Sequence, residues 1–240
     1  MKKLFLFFMT FISIVAFGKN EKLYVGTNPE FYPFEYLEDG KIVGFDADLI
    51  EAIGQKLGKE IVWKNIAFDG LLPALQSKKI DVIIAGMTAT EERKKFVNFS
   101  EPYFISSQVI ILNSENKESL DIKSYENLPN HSVGVVLGYT GDVAVSKVPN
   151  VNIQRFNGAS EAIMALKAKK VQAVILDSEP AKNYVKNNKG LELISTDIAK
   201  EEYSIAVSKD NTQLAEEINK AYKELVDDGS YQELINKYFK

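Results

Sequence analysis

The chain has 240 residues, and its content of 45% hydrophobic and 11% aromatic residues is enough for packed cores in one or two domains. It contains no cysteine, which excludes disulfide bonds, a thiolate nucleophile, a cysteine-based metal site and a lipid-acceptor cysteine. The net charge is -4 with Lys and Glu interspersed, which argues against nucleic acid or an anionic membrane surface as a partner.

The N-terminus has the layout of a signal peptide. Lys2 and Lys3 precede an apolar stretch, residues 4–17, which is shorter than the roughly 20 residues that a membrane-spanning helix needs. Because small residues stand at positions 16 and 18, we expect cleavage after Gly18. The mature protein is therefore expected in the periplasm, without a lipid anchor or stable membrane insertion. A retained membrane anchor is the alternative.

Apolar strand-like runs alternate with amphipathic helical windows through the first half of the chain. Strands are predicted at residues 23–26, 61–63 and 81–85, and helices at residues 46–57 and 70–76. The first helix has an apolar residue at every fourth position from Phe45 to Leu57, and Gly58 follows as a stop signal. This alternation predicts βαβ units and an α/β fold with mostly parallel sheets.

A polar turn, AGMTATEER at residues 85–93, follows the strand at residues 81–85. Thr88 and Glu91 have the spacing of a capping box that starts a helix. Arg93 then falls in the first helical turn, where a cation is unfavourable beside the positive helix end, so we expect it to bind an anion such as a carboxylate. Backbone N–H groups around Gly86 and Thr88 would add to that site. An exposed arginine among charged neighbours is the alternative.

The second half of the chain repeats the pattern of the first. Strands predicted at residues 133–137, 151–156 and 171–176 alternate with helices near residues 142–147 and at residues 161–168. Asp177 directly follows the last strand, where it could receive an α-ammonium group, although a helix N-cap is an equal alternative. If Arg93 and Asp177 face one cleft, they form a trap for the two charged ends of a free amino acid. The loop after residue 137 adds the Thr140 hydroxyl.

Two helices are predicted at the C-terminus, at residues 212–226 and 231–239, with Gly229 between them. Ser230 and Glu233 have the spacing of a capping box for the last helix. The sequence has no linker rich in Pro, Gly or Ser, so we expect two lobes, if present, to be joined by strand-like crossings.

Several motifs occur in an order and spacing that span nearly the whole mature chain: TNPEFYPFEY (27–36), GFD (44–46), FDGLLPAL (68–75), AGMTATEER (85–93), FSEPY (99–103) and DGSY (228–231). Together they closely resemble the polar amino acid-binding proteins of ABC importers, solute-binding protein family 3. The resemblance implies a two-lobed, periplasmic binding protein-like type II fold with mixed, mostly parallel sheets. Lobe 1 would comprise residues 19–108 and 204–240, and lobe 2 residues 109–203. A two-stranded hinge would close the lobes around the ligand.

The same resemblance implies roles for individual residues and partners. Phe31 and Phe68 would sandwich the ligand's side chain, Arg93 would bind its carboxylate with help from Thr88 and Thr140, and Asp177 would bind its ammonium. Ala85 and Gly86 would offer backbone groups. The implied partners are a free amino acid and the membrane permease of an ABC importer, for a monomeric protein without a metal, a cofactor or a catalytic residue.

One departure from the family concerns specificity. Members that bind lysine, arginine, histidine or glutamine commonly carry Asp or Glu where this chain has Asn28, and a neutral amide pairs weakly with a cationic side chain. Glu30 or Glu161 could compensate. We therefore expect a polar uncharged amino acid as the ligand, with a basic one as the close alternative.

Two other functions are compatible with the sequence. An exported enzyme similar to cyclohexadienyl dehydratases would need a positioned acid, and His131 and Asp177 are weak candidates for one. A protein that presents its bound ligand to a chemoreceptor is the second alternative. We predict a binding protein and not an enzyme.

Overall fold

The computed structural model describes residues 21–195 and 200–240. The predicted signal peptide, residues 1–18, and its cleavage site lie outside these two segments. None of the helices within the segments combines the length and the apolar character that a bilayer crossing requires.

The bounds of the strands and helices follow the predicted alternation. The strands are β1 (Glu21–Thr27), β2 (Glu30–Phe31), β3 (Glu35–Glu38), β4 (Lys41–Val43), β5 (Lys59–Asn65), β6 (Val82–Ile83), β7 (Val97–Phe99), β8 (Phe104–Ser106), β9 (Gln108–Asn113), β10 (Ser132–Val136), β11 (Asn152–Phe156), β12 (Ala173–Asp177), β13 (Leu191–Ser195), β14 (Glu201–Tyr203) and β15 (Ala206–Ser208). The helices are α1 (Phe45–Leu57), α2 (Phe68–Gln76), α3 (Glu91–Lys94), α4 (Lys117–Leu120), α5 (Thr140–Val145), α6 (Ala159–Lys167), α7 (Ser178–Asn187), α8 (Thr212–Asp227) and α9 (Ser230–Phe239).

The first sheet has the strand order β5-β1-β6-β15-β7. β1 runs parallel to β5 and β6, whereas β15 runs antiparallel to β6 and β7. The C-terminal helices α8 and α9 pack against α1, on the part of the molecule that β1 also builds. Segments from both ends of the described chain therefore form one layered unit.

The packing of α1 follows directly from its sequence period. Phe45, Leu49 and Ile53 are fully buried, because residues four apart lie on one helix face. Gly58 ends the helix in the left-handed conformation, with φ 66°, and its N–H donates to the carbonyl of Gln55. The predicted helix and its stop signal are confirmed.

The second sheet has the order β11-β10-β12-β9-β13. β10 is parallel to β11 and β12, and β9 is antiparallel to β12 and β13. The predicted α/β fold with mixed sheets is confirmed. A small antiparallel sheet, β2-β3-β4, packs against α1.

The chain passes between the two large sheets through one antiparallel pair of strands. β8 carries it from the first sheet to the second, and β14 carries it back, with Ser106 paired to Glu201 and Phe104 to Tyr203. We call β8 and β14 the crossing pair. Strand-like crossings were expected from the sequence, whereas the exact limits of the lobes, at residues 108/109 and 203/204, stay a prediction.

Two predicted capping boxes are wrong. Thr88 forms an isolated β-bridge with Tyr203 and is held extended, so the short helix α3 begins later, with Thr90 as its N-cap and the Thr90 hydroxyl accepting from the N–H of Arg93 at 3.2 Å. At the C-terminus, Gly229 with φ 86° is the N-cap, and Ser230 is already helical. A glycine can turn the chain sharply between α8 and α9, so the cap falls one residue earlier than the spacing suggested.

Candidate functional site

A cavity lies between the two large sheets, where strands of each end. Its volume is about 10 Å³, so the lining side chains nearly fill it. The loops after β6, β10 and β12 face one another there, as carboxyl ends of strands do in open α/β sheets. The lining residues are Phe31, Phe68, Ala85, Gly86, Thr88, Arg93, Tyr139, Thr140 and Asp177. Every site residue predicted from the sequence is in this set except Asn28, and Tyr139 is an addition.

Arg93 reaches into the cavity from α3 and is only 9% exposed, so it is not the exposed arginine of the alternative interpretation. Its Nη1 donates to the Thr88 carbonyl and its Nη2 to the Gly138 carbonyl, both at 2.9 Å. The guanidinium carbon lies 5.2 Å from the centre of the Phe68 ring. Burial lowers the pKa of Arg93, while Glu201 and Asp177 oppose that shift, and the side chain stays a cation in any case.

Asp177 approaches the same cavity from the end of β12, on the second sheet, and is 3% exposed. Its carboxylate accepts a short hydrogen bond from Nε2 of Gln108, which also donates to the Thr140 hydroxyl at 2.9 Å. Asp177 occupies the N-cap position of α7, but among the described residues its side chain makes no cap bond there. The helix-cap alternative is therefore not supported, and the carboxylate is directed to the cavity side.

The charge state of Asp177 depends on what lies beside it. Burial raises its pKa well above the usual range, and the nearby Glu201 raises it further, while Tyr203 and Arg93 lower it. A buried carboxyl of this kind gains most from a cation placed next to it. Glu201 itself is 5% exposed and lies on the crossing pair.

Three aromatic rings form the apolar side of the cavity. Phe31 and Phe68 come from the first half of the chain, and both contact Tyr139, from the loop after β10. The ring centres are 5.6 Å apart for Phe31 and Tyr139 and 4.5 Å for Phe68 and Tyr139, in edge-on geometry. The sequence singled out this loop only for Thr140, because a lone tyrosine beside a glycine carries no pattern of its own.

A buried acidic cluster supports the loop at Gly86. The Gly86 N–H donates to Oδ2 of Asp46 at 2.9 Å, and the Tyr103 hydroxyl donates to the same oxygen at 2.7 Å. The Gly86 N–H therefore points away from the cavity, which corrects its expected use as an anion donor. Gly86 has φ 51°, and a Cβ there would lie 2.5 Å from the Phe31 ring, so glycine is required.

Burial and the neighbouring Asp46 raise the pKa of Glu35 well above its ordinary value. Burial also raises the pKa of Asp46, to about 6, although hydrogen bonds from Tyr103, Gly86 and Glu35 oppose the shift. Oε2 of Glu35 and Oδ1 of Asp46 are buried without another hydrogen-bond partner in the described part of the chain, an arrangement that suits one proton held between the two carboxyl groups. Sequence reasoning missed this pair, because Glu35 and Asp46 meet only in the folded chain.

The residues considered for specificity lie outside the cavity lining. Asn28 is buried, and its Oδ1 has no hydrogen-bond partner in the described part of the chain. Glu30 accepts from the Ser160 hydroxyl at 3.3 Å, and Glu161 accepts from the N–H of Asn157 at 3.2 Å. The described residues contain no group of three or more His, Asp or Glu side chains placed to hold a metal ion.

Comparison with known proteins gives consistent matches over nearly the whole described chain. The model of the bacterial extracellular solute-binding proteins, family 3, matches residues 23–240. A probable histidine-binding protein of Campylobacter jejuni is 39% identical over 221 residues, covering 90% of this chain and 84% of that protein. The structure of an ancestral arginine-binding protein bound to arginine is 45% identical, with a TM-score of 0.88 over 92% of this chain and 99% of that one. An ancestral arginine-binding protein bound to glutamine is 46% identical, with a TM-score of 0.87 and the same coverage.

Proposed function

The chain belongs to family 3 of the bacterial extracellular solute-binding proteins, and we propose that it captures a free L-α-amino acid and delivers it to the permease of an ABC importer. The observation that carries this proposal is the pair Arg93 and Asp177, one from each half of the molecule, on a single cavity. A cation and an anion across one gap match the two charged ends of an amino acid. Export through the N-terminal signal sequence and a periplasmic location are parts of the same proposal.

The two charged groups would bind the ligand's α-carboxylate and α-ammonium. A carboxylate at Arg93 would receive charge-assisted hydrogen bonds and would compete with the Gly138 carbonyl for the guanidinium. The Thr88 and Thr140 hydroxyls line the same space and would complete the carboxylate site. An ammonium beside Asp177 would stabilise the ionised form of a carboxyl whose pKa burial raises. The carbonyls of Ala85 and Gly86 would accept from that ammonium.

The ligand's side chain would lie against the rings of Phe31 and Phe68, and we infer a polar uncharged or basic amino acid. Glu201 is a buried acidic residue near both Arg93 and Asp177. A second acidic group beside the cavity favours a ligand with a polar or positive side chain. The similar proteins support the same range, since they are a probable histidine-binding protein and ancestral arginine-binding proteins bound to arginine or to glutamine. Asn28 lies outside the cavity lining, so the preference for an uncharged ligand that we inferred from Asn28 stays a proposal.

Capture would involve rotation of the two lobes about the crossing pair. β8 and β14 are short, and they join the two large sheets as one antiparallel pair, which is the arrangement of a hinge. Closing such a hinge excludes water and strengthens the charged contacts in the cavity. The importer would then recognise the closed form.

Among the alternatives, binding without catalysis is the function that the site supports best. Asp177 is the only cavity-lining carboxyl, and the ammonium would occupy it, so an acid–base pair for an exported dehydratase-like reaction is not provided among the described lining residues. Presentation of the ligand-bound protein to a chemoreceptor would use the same cavity. The chemoreceptor would then be a second protein partner beside the importer's permease.

A screen of the twenty L-amino acids by thermal shift tests the proposed function. We expect a rise in melting temperature with one or a few polar or basic amino acids, because a ligand that binds only the folded state stabilises it. Calorimetry on each hit would then give its affinity. A purified, folded protein that none of the twenty amino acids stabilises would contradict the proposed function. Stabilisation by arginine or lysine alone would overturn the expected preference for an uncharged ligand.

A further inference from the structure

A carboxylate from the first half of the molecule contacts the N-terminus of a helix in the second half. Glu30 lies on β2, next to the cavity residue Phe31, and α6 packs on the second sheet. The Ser160 hydroxyl, in the first turn of α6, donates to Oε2 of Glu30 at 3.3 Å. Glu30 does not line the cavity, so this contact crosses between the halves beside the ligand site and not within it.

The residue that begins α6 leaves room for that carboxylate. Its N-cap is Gly158, which has no side chain with which to cap the helix. A Cβ at this position would lie 1.8 Å from Oε2 of Glu30, and the three atoms nearest to it all belong to Glu30. The Glu30 carboxylate thus lies at the N-terminus of α6, where a negative charge is favourable, and its hydrogen bond there is with the Ser160 hydroxyl.

The backbone of Gly158 does not explain the glycine. Its φ of -145° and ψ of 159° are extended, and any residue adopts them without strain. The acidic residue of the helix's own first turn is also engaged elsewhere, since Glu161 accepts from the N–H of Asn157. A side chain at position 158 would therefore have to displace the Glu30 carboxylate from the start of α6.

We propose that Glu30 and Gly158 form an interlobe latch, in which the Glu30 carboxylate docks at the N-terminus of α6 when the lobes close and so raises ligand affinity without touching the ligand. The inference rests on the proposed function, because it assumes a hinge movement that accompanies binding. A contact made only in the closed form adds its free energy to closure, and the observed affinity rises with the stability of the binding-competent form. Glu30 and Gly158 are then positioning residues for capture.

Substitution of Gly158 by alanine tests the latch, because the added methyl group is compatible with the extended backbone of a separated lobe and clashes only with Glu30. We expect Gly158→Ala and Glu30→Ala each to bind about 2- to 10-fold more weakly by calorimetry, because both lose the contact between Glu30 and the start of α6. The double variant Glu30→Ala/Gly158→Ala should match Glu30→Ala alone within about twofold, because the clash partner is gone. The titrants are L-arginine, L-glutamine and L-histidine, together with any further amino acid that the screen selects.

A matched control comes from the same small sheet. Glu38→Ala removes an exposed carboxylate from β3, and its affinity should stay within about twofold of the wild type. If Gly158→Ala fails to fold, Glu30→Gln keeps the shape and removes the charge. That variant should release the ligand faster with little change in the association rate, since the latch acts after the ligand has entered.

The latch is overturned if Gly158→Ala binds as tightly as the wild type, or if the loss in the double variant equals the product of the two single losses. An unchanged dissociation rate in Glu30→Gln would also overturn it. A wild-type protein that bound none of the twenty amino acids would refute the proposed function and the latch together. Wild-type binding with unchanged variants would refute the latch alone.

Discussion

Nη2 of Arg93 donates a hydrogen bond to the carbonyl oxygen of Gly138, across 2.9 Å and between loops that belong to different sheets. The same guanidinium is tied to its own loop through the Thr88 carbonyl. The side chain that we propose as the carboxylate site is therefore also a link between the two halves of the molecule. Ligand capture and lobe closure would act through one buried cation.

Removing the tyrosine ring from the cavity should change which amino acids bind. Tyr139 contacts both Phe31 and Phe68, so Tyr139→Ala enlarges the space for a ligand's side chain. We expect larger side chains to gain roughly 10-fold in affinity relative to small ones, the usual scale for a changed apolar contact. The thermal-shift screen, repeated on the variant, measures this change.

Tyr139→Phe is the matched control, because it keeps the ring and removes only the hydroxyl. Its order of preference among the amino acids should follow that of the wild type. An unaltered order in Tyr139→Ala would show that the ring does not limit the ligand's side chain.

Replacing Asp177 by asparagine should separate affinity from stability. Asparagine can still accept the Gln108 hydrogen bond, but it cannot pair with an ammonium ion at full strength, so we expect about 10- to 100-fold weaker binding. Burial raises the pKa of Asp177, which means that its ionised form is unfavourable without a cation beside it. The ligand-free variant should therefore melt at the same or a higher temperature than the wild type at pH 7. Unchanged affinity would remove Asp177 from the site.

The buried pair of Glu35 and Asp46 predicts a pH dependence of folding. The pKa of Asp46 in the folded protein is about 6, above the ordinary 3.8, so the folded state binds this proton more tightly than the unfolded state does. Its contribution to stability is fully present below about pH 4 and is lost as the pH rises through about 6. Asp46→Asn should flatten this fall, by roughly 1–3 kcal/mol between pH 4 and pH 7.

Urea denaturation at a series of pH values compares the wild type with Asp46→Asn. Tyr103, Gly86 and Glu35 face Asp46, and asparagine can still accept from the first two, so the fold should persist. Asp39→Asn, in the exposed turn between β3 and β4, is the control for loss of a carboxyl group. If the free energy of unfolding of the wild type and of Asp46→Asn changed in parallel with pH, Asp46 would not be the source of the pH dependence.

The hinge predicts a change of shape on binding. Small-angle X-ray scattering should show a smaller radius of gyration when a saturating amino acid from the screen is added, because closure brings the lobes together. An amino acid that gave no thermal shift serves as the control. Superimposable curves with and without the ligand would count against the hinge.

Much of the fold could be predicted from the sequence because its signals are local and periodic. The four-residue repeat from Phe45 to Leu57 determined α1, and the apolar runs that became β1 and β12 were recognised with small errors at their ends. The capping boxes failed because their spacing is also local, while the caps are decided by distant contacts. The bridge from Thr88 to Tyr203 is such a contact.

In the cavity, too, the residues that could be predicted follow local sequence patterns, and those that were missed depend on contacts between distant parts of the chain. Arg93 and Asp177 stand beside strand ends, so their positions could be inferred from pattern and resemblance. The bonds that orient them join residues far apart in the chain, as Gln108 does for Asp177 and Gly138 for Arg93. Tyr139, Glu201 and the pair of Glu35 and Asp46 were missed for this reason.

Calorimetry of Arg93→Ala, titrated with the best ligand from the screen, tests the central claim most directly. If the guanidinium binds the ligand's carboxylate, affinity should fall 100-fold or more, roughly the 3 kcal/mol expected for a buried charged contact. Folded Arg93→Ala protein that bound the same amino acid within about threefold of the wild type would contradict the claim.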